Sequence, residues 1–116
     1  MADITVYQKP TCSTCRNSIK ILREEGVEFD SVNYYEEQFT EKTLKRVLNK
    51  LGMKPIEVIR KGEAIAKELG IGKKNYSDAE LISLMVKHPD LIQRPIVVKG
   101  DQAVLCRPAE TVKDIL

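Results

Sequence analysis

Apolar residues along this chain change their spacing several times, and each change marks an element. Ile4-Thr5-Val6-Tyr7 is β-branched and aromatic, the composition of a short buried strand. The period then lengthens. Cys15, Ile19 and Leu22 recur at helical spacing, Arg16, Lys20 and Arg23 fall on other faces, and Gly26 is placed to end the helix. Val27 to Tyr34 reads as a second strand, with Val27 and Phe29 on one face and Glu28 and Asp30 on the other. Strand, helix and strand in about thirty residues predict a βαβ unit with parallel strands and a right-handed crossover.

Helical spacing governs the middle of the chain. Thr40 is a cap for a helix whose stripe is Leu44, Val47, Leu48 and Leu51, ending at Gly52. Pro55 starts a further helical turn, Glu63 to Leu69 is helical with Gly70 as its stop, and Ser77-Asp78-Ala79-Glu80 has capping-box spacing. That box opens a helix containing Leu81, Ile82, Leu84 and Met85, closed by Pro89 after His88. His88 reads as a local cap or dipole partner at a helix C-terminus and stays outside the candidate site. Strand composition returns in Ile96-Val97-Val98 and Ala103-Val104-Leu105, which flank the turn-like Lys99-Gly100-Asp101-Gln102 and predict an antiparallel hairpin. A short helix from about Ala109 to Leu116 follows Pro108. The order is βαβ, a helical block, then ββα. This is an α/β chain whose four strands bury their apolar faces as one mixed sheet flanked by helices.

Length and composition narrow the class. With 116 residues, 42% of them hydrophobic, the expectation is one domain spanning 1–116. No apolar run approaches the ~20 residues of a membrane span, and the N-terminus lacks a charged-then-apolar signal pattern. Three cysteines, an odd number, argue against a secreted disulfide scaffold and for a reducing cytoplasm. A net charge of +2, from 19 basic against 17 acidic residues, gives no basic excess of the kind that holds nucleic acid.

The chemistry gathers where the first strand turns into the first helix. In Pro10-Thr11-Cys12-Ser13-Thr14-Cys15-Arg16-Asn17, Cys12 meets the unpaired N–H groups and the positive dipole end of the helix, and Arg16 one turn on adds charge. Cys12 should therefore ionise more easily than a free cysteine, which makes it the candidate nucleophile. Cys15, three residues on, shares its helix face and is placed to form a disulfide with it. Zinc would need more ligands than this pair, and the remaining Cys106 and His88 are both distant in sequence, so no metal is expected. Cys106 is a rival partner for Cys12, although its place at the end of a β-rich run suits a buried core thiol.

Arginine is the second clue. The chain uses thirteen lysines and six arginines, yet Arg60 follows an apolar turn, Arg94 precedes Pro95 at a strand entrance, and Arg107 sits between a strand and Pro108. A residue before proline is confined to extended geometry, and a cis Arg94-Pro95 bond is compatible with a turn there. Three guanidinium forks on stiff backbone or at element ends suit a tetrahedral oxyanion.

With these residues assembled, the chain resembles the arsenate reductase family known as ArsC, in its glutaredoxin-like branch of the thioredoxin-fold superfamily. The resemblance rests on Pro10 to Asn17, on Ile59-Arg60-Lys61, on His88-Pro89-Asp90-Leu91-Ile92-Gln93-Arg94-Pro95-Ile96-Val97-Val98, and on Leu105-Cys106-Arg107-Pro108. It implies a thioredoxin-like fold with a helical insertion at about 40–88, Cys12 as nucleophile, Arg60, Arg94 and Arg107 as oxyanion ligands, and Pro95 as a cis-proline facing the active-site cysteine. It implies arsenate as substrate, arsenic detoxification as the role, and an external thiol reductant in place of a bound cofactor: thioredoxin, or glutathione with glutaredoxin. This chain departs from the family pattern in three ways. Gln8 stands where members often have a histidine, a C-x-x-C replaces the usual single cysteine, and the sequence ends at Leu116 where many members continue. Cys15 is accordingly read as the resolving thiol, because its effective concentration at the Cys12 sulfur exceeds that of free glutathione. The alternative is an Spx-like redox-sensing regulator that binds the RNA polymerase α-subunit. Cys106-Arg107-Pro108 favours the reductase.

Overall fold

A computed structural model describes residues 3–107 and 109–116; Pro108, expected to precede the last helix, lies outside the described residues. The strands are β1 (Ile4–Gln8), β2 (Asp30–Asn33), β3 (Ile96–Lys99) and β4 (Gln102–Leu105), and the α-helices are α1 (Ser13–Glu24), α2 (Glu41–Leu51), α3 (Ala64–Glu68) and α4 (Asp78–Lys87). The strands form one sheet in the order β2-β1-β3-β4. β1 and β2 run parallel, as a strand–helix–strand unit requires, and the other two pairs are antiparallel. This is the thioredoxin-like arrangement of a four-stranded mixed sheet with helices.

Two compact units divide the chain, one from the described parts of Met1–Glu37 and Arg94–Leu116, the other from Gln38–Gln93. The first holds the sheet, α1 and the C-terminal segment. Its core contains Ile4 and Val6 of β1, Leu22 of α1, Val97 of β3, Cys106, Val112 and Ile115, with Val27 and Phe29 packed against it. Ile96, Val97 and Val98 are all buried, which explains why β3, lying between β1 and β4, reads as an unbroken apolar run. The second unit is helical: α2 and α4 pack together, and its 3₁₀ turns at Pro55–Val58 and Pro89–Leu91 pack on α4. No helix among the described residues is long and apolar enough to cross a membrane.

The caps fall where the residue types place them. The Thr40 hydroxyl accepts from the Thr43 N–H at 3.1 Å, and Ser77 and Glu80 form the reciprocal capping box at 3.2 and 3.1 Å. Gly26, at φ 69°, ends α1 with its N–H donated to the Arg23 carbonyl and that of Val27 to Leu22, the paired bonds of a Schellman motif. That motif corrects the second strand. Val27 still satisfies the helix end, so pairing with β1 begins only at Asp30, and the alternation at Val27 and Phe29 reflects packing on the core. The C-terminal element is also corrected: Ala109–Ile115 is a 3₁₀ helix, with Ala109, Val112 and Ile115 buried at the threefold spacing that its tighter turn dictates. In the hairpin, Gly100 supplies the left-handed conformation at φ 58° between β3 and β4.

Burial separates core from cap energetically. Leu22→Ala removes a fully buried side chain from the first unit and should cost about 2–5 kcal/mol in urea unfolding, whereas Thr40→Ala should cost about 1 kcal/mol. Equal losses from the two variants would contradict the packing described.

Candidate active site

Cys12 is the N-cap of α1, with extended backbone angles of −82° and 121°. Its N–H donates to the Lys9 carbonyl at 3.0 Å and its carbonyl accepts the first intrahelical bond from Arg16 at 3.1 Å, so the loop before the helix is closed on itself. The sulfur occupies the place of an ordinary capping oxygen, and the Cys15 N–H donates to it at 3.4 Å. Cys12 is half-buried, while Cys15 is fully buried.

The two thiols consequently differ in acidity. Burial works against charge on Cys12, but the Cys15 N–H and thiol and the Arg94 guanidinium outweigh it and hold the Cys12 pKa below the ordinary thiol value. The cation contributing here is Arg94; Arg16, which the sequence offered for this part, is exposed. Burial pushes the Cys15 thiol up to about 12, with the Cys12 charge adding to it and a backbone N–H from Lys9 opposing it. Cys106 is likewise pushed up to about 12, by burial first and then by Cys15 and Asp114, against a hydrogen bond from Ser18. It lies in the core, with its N–H donated to the Pro95 carbonyl at 3.0 Å. All three cysteines are free thiols.

Arg94 and Arg107 converge at the entrance to β3. The Arg94-Pro95 peptide is cis, and Arg107 Nη1 donates to the Arg94 carbonyl at 2.7 Å. Arg94 is only 7% exposed. Its Nη1 donates to the hydroxyls of Tyr34 at 3.5 Å and Tyr35 at 3.2 Å, while its Nε is buried without a hydrogen-bond partner. Burial disfavours charge on Arg94, but Tyr34, Tyr35 and Cys12 hold the guanidinium protonated, with a pKa above its usual value. A buried guanidinium with an unsatisfied N–H, beside a thiol of lowered pKa, can take up an oxyanion.

The site so built brings together Cys12, Cys15, Arg94 and Arg107. Arg60 belongs to the second unit, where its Nε pairs with Glu63 at 3.0 Å and its N–H donates to the Leu91 carbonyl at 2.7 Å. Gln8 is buried and its amide donates to the Ser31 hydroxyl at 2.9 Å, tying β1 to β2. Lys9, Tyr34 and Tyr35 escaped the sequence reading: a lysine before proline and two tyrosines after a strand give no signal until the fold places the tyrosines on Arg94 and Lys9 over the Tyr35 ring.

The family model described as the ArsC family matches residues 7–115. The chain belongs to the ArsC family. An arsenate reductase of Yersinia enterocolitica is 40% identical over 116 residues, covering 100% of this chain and 82% of its own length. An arsenate reductase of Escherichia coli strain K12 is 37% identical with the same coverage. The solved arsenate reductase of Vibrio cholerae superposes with a TM-score of 0.94 at 36% identity, covering 97% of each chain. The match to the ArsC family thus spans the helix-capping thiol, the cis peptide, Arg94 and Arg107.

Thiol acidity here depends on Arg94. Cys12 should be alkylated by iodoacetamide with a pH midpoint below the ordinary ~8.5, and Arg94→Gln should move that midpoint upward. Peptide mapping should find Cys15 and Cys106 unlabelled at neutral pH in the folded protein. An unchanged midpoint in Arg94→Gln would remove Arg94 from the account of the thiol.

Proposed function

We propose that this protein reduces arsenate to arsenite, with Cys12 as nucleophile and Cys15 as resolving thiol. The observation that carries the reading is the pairing of an acidified, half-buried Cys12 with the buried, partly unsatisfied guanidinium of Arg94. The names of the relatives support arsenate as the substrate. Arg94 and Arg107 bind the oxyanion together with N–H groups at the start of α1. Arg60 is assigned the same role on the family resemblance alone.

The Cys12 thiolate attacks arsenic(V), a sulfur–arsenic bond forms, and one arsenate oxygen leaves as water after taking up a proton. Cys15 then attacks the Cys12 sulfur, giving its proton to an oxygen of the departing arsenic group. The sulfur–arsenic electron pair leaves with arsenic, which departs as arsenite, and the two thiols are oxidised to one disulfide. Adduct formation helps this second step. The Cys12 charge, which adds to burial in holding the Cys15 proton on, is consumed in the sulfur–arsenic bond, while the Lys9 N–H that favours the Cys15 thiolate remains. An external thiol, thioredoxin or glutathione with glutaredoxin, returns the disulfide to two thiols.

Arsenite release assayed with each purified reductant tests the reading. Cys12→Ser should abolish turnover, and Cys15→Ser should lose the thioredoxin-driven rate. Arg94→Lys and Arg107→Lys should each lower kcat/KM by about tenfold or more, since a lysine keeps the charge but loses the fork. Full activity in Cys12→Ser would overturn the proposal, and a wild-type chain that captures the polymerase α-subunit but reduces no arsenate would favour the regulator.

A further inference from the structure

The turn after β2 carries a tyrosine that reaches both Arg94 and Lys9, and it lies outside the residues that the ArsC resemblance assigns. Tyr35 follows Asn33, whose side-chain carbonyl accepts the Tyr35 N–H at 3.0 Å and whose backbone carbonyl accepts from Glu36 and Glu37 at 3.0 and 2.9 Å. This Asx turn fixes the Tyr35 backbone. From it the hydroxyl accepts Arg94 Nη1 at 3.2 Å, and the ring lies 4.6 Å from Lys9 Nζ and 5.9 Å from the Arg94 guanidinium carbon. Lys9 in turn is part of the loop closed on Cys12. Tyr34, the neighbouring acceptor, is 3.5 Å from Nη1, so the Tyr35 bond is the shorter of the two.

We propose that Tyr35 is a positioning residue, its hydroxyl orienting the Arg94 fork beside the Cys12 sulfur and its ring seating the Lys9 ammonium of the neighbouring loop. A guanidinium at the end of a long side chain has several rotamers, and anchoring one nitrogen selects among them. With Nη1 occupied by phenolic oxygens, the unsatisfied Nε is left for the anion. A cation over an aromatic face is attracted to the ring quadrupole, and the Tyr35 ring holds Lys9 Nζ in this way. The proposal rests on the arsenate reading for the anion's identity, but not for its effect on the thiol.

Tyr35→Phe keeps the ring and removes only the anchoring oxygen. It should raise KM for arsenate about threefold to tenfold, the range expected for one hydrogen bond to a charged group. It should also move the alkylation midpoint of Cys12 upward, by about half a pH unit, in the absence of any arsenate. Tyr35→Leu, which removes the Lys9 seat as well, should do more. In an Arg94→Met background Tyr35→Phe should leave the Cys12 midpoint where Arg94→Met put it. Unchanged KM and midpoint in Tyr35→Phe, an equal shift in the Arg94→Met background, or a lowered unfolding temperature with an unmoved midpoint would each overturn the proposal. If the wild type reduces no arsenate and Tyr35→Phe still raises the midpoint, the positioning role stands and the substrate assignment fails.

Discussion

The Cys12 sulfur caps a helix and lies under the influence of a buried guanidinium, and the groups around them favour charge on both. A half-buried thiolate loses hydration, so its charge is maintained only if fixed donors replace the water. The Cys15 N–H supplies one donor, and Arg94 supplies the opposite charge. Arg94 faces the same difficulty more severely, being almost wholly buried, and its own compensation comes from two tyrosine hydroxyls as well as from Cys12. Loss of any of these partners transfers the penalty to the next group. That dependence is why the turn after β2, the β1–α1 loop and the entrance to β3 act as one assembly.

The ordering of the three thiols follows from the same balance. Only Cys12 combines partial exposure with helix-end donors and a cation, whereas Cys15 and Cys106 are buried and retain their protons up to about pH 12. Cys12 and Cys15, the proposed nucleophile and resolving thiol, therefore differ in environment even though both belong to one C-x-x-C. Proximity does not have to create two thiolates at once: burial first, and the Cys12 charge in addition, keep the proton on Cys15.

Elements whose signals are local were legible in the sequence. Thr40, Ser77 with Glu80, and Gly26 act through bonds within four residues or so of themselves, and each cap lies where its residue type placed it. The β1–α1 junction was legible for the same reason, and with it the helix-end position of Cys12. The start of β2 was not, because Val27 and Phe29 alternate like a strand while serving a helix cap and a core. The partners of Arg94 were invisible for a different reason: Tyr34 and Tyr35 are 60 and 59 residues away in sequence, and no spacing rule links a phenol to a guanidinium across a fold. Arg107 was selected for its place beside a proline, whereas its observed bond is to the Arg94 carbonyl.

One experiment reaches the centre of this account without a downstream reductant. The fully reduced protein is mixed with excess arsenate, quenched by acid after one turnover, and its thiols are mapped by mass spectrometry alongside a count of released arsenite. The account predicts one arsenite per chain and a single disulfide joining Cys12 to Cys15, with Cys106 still a thiol. A bridge from Cys12 to Cys106, or arsenite released with all three thiols intact, would contradict it.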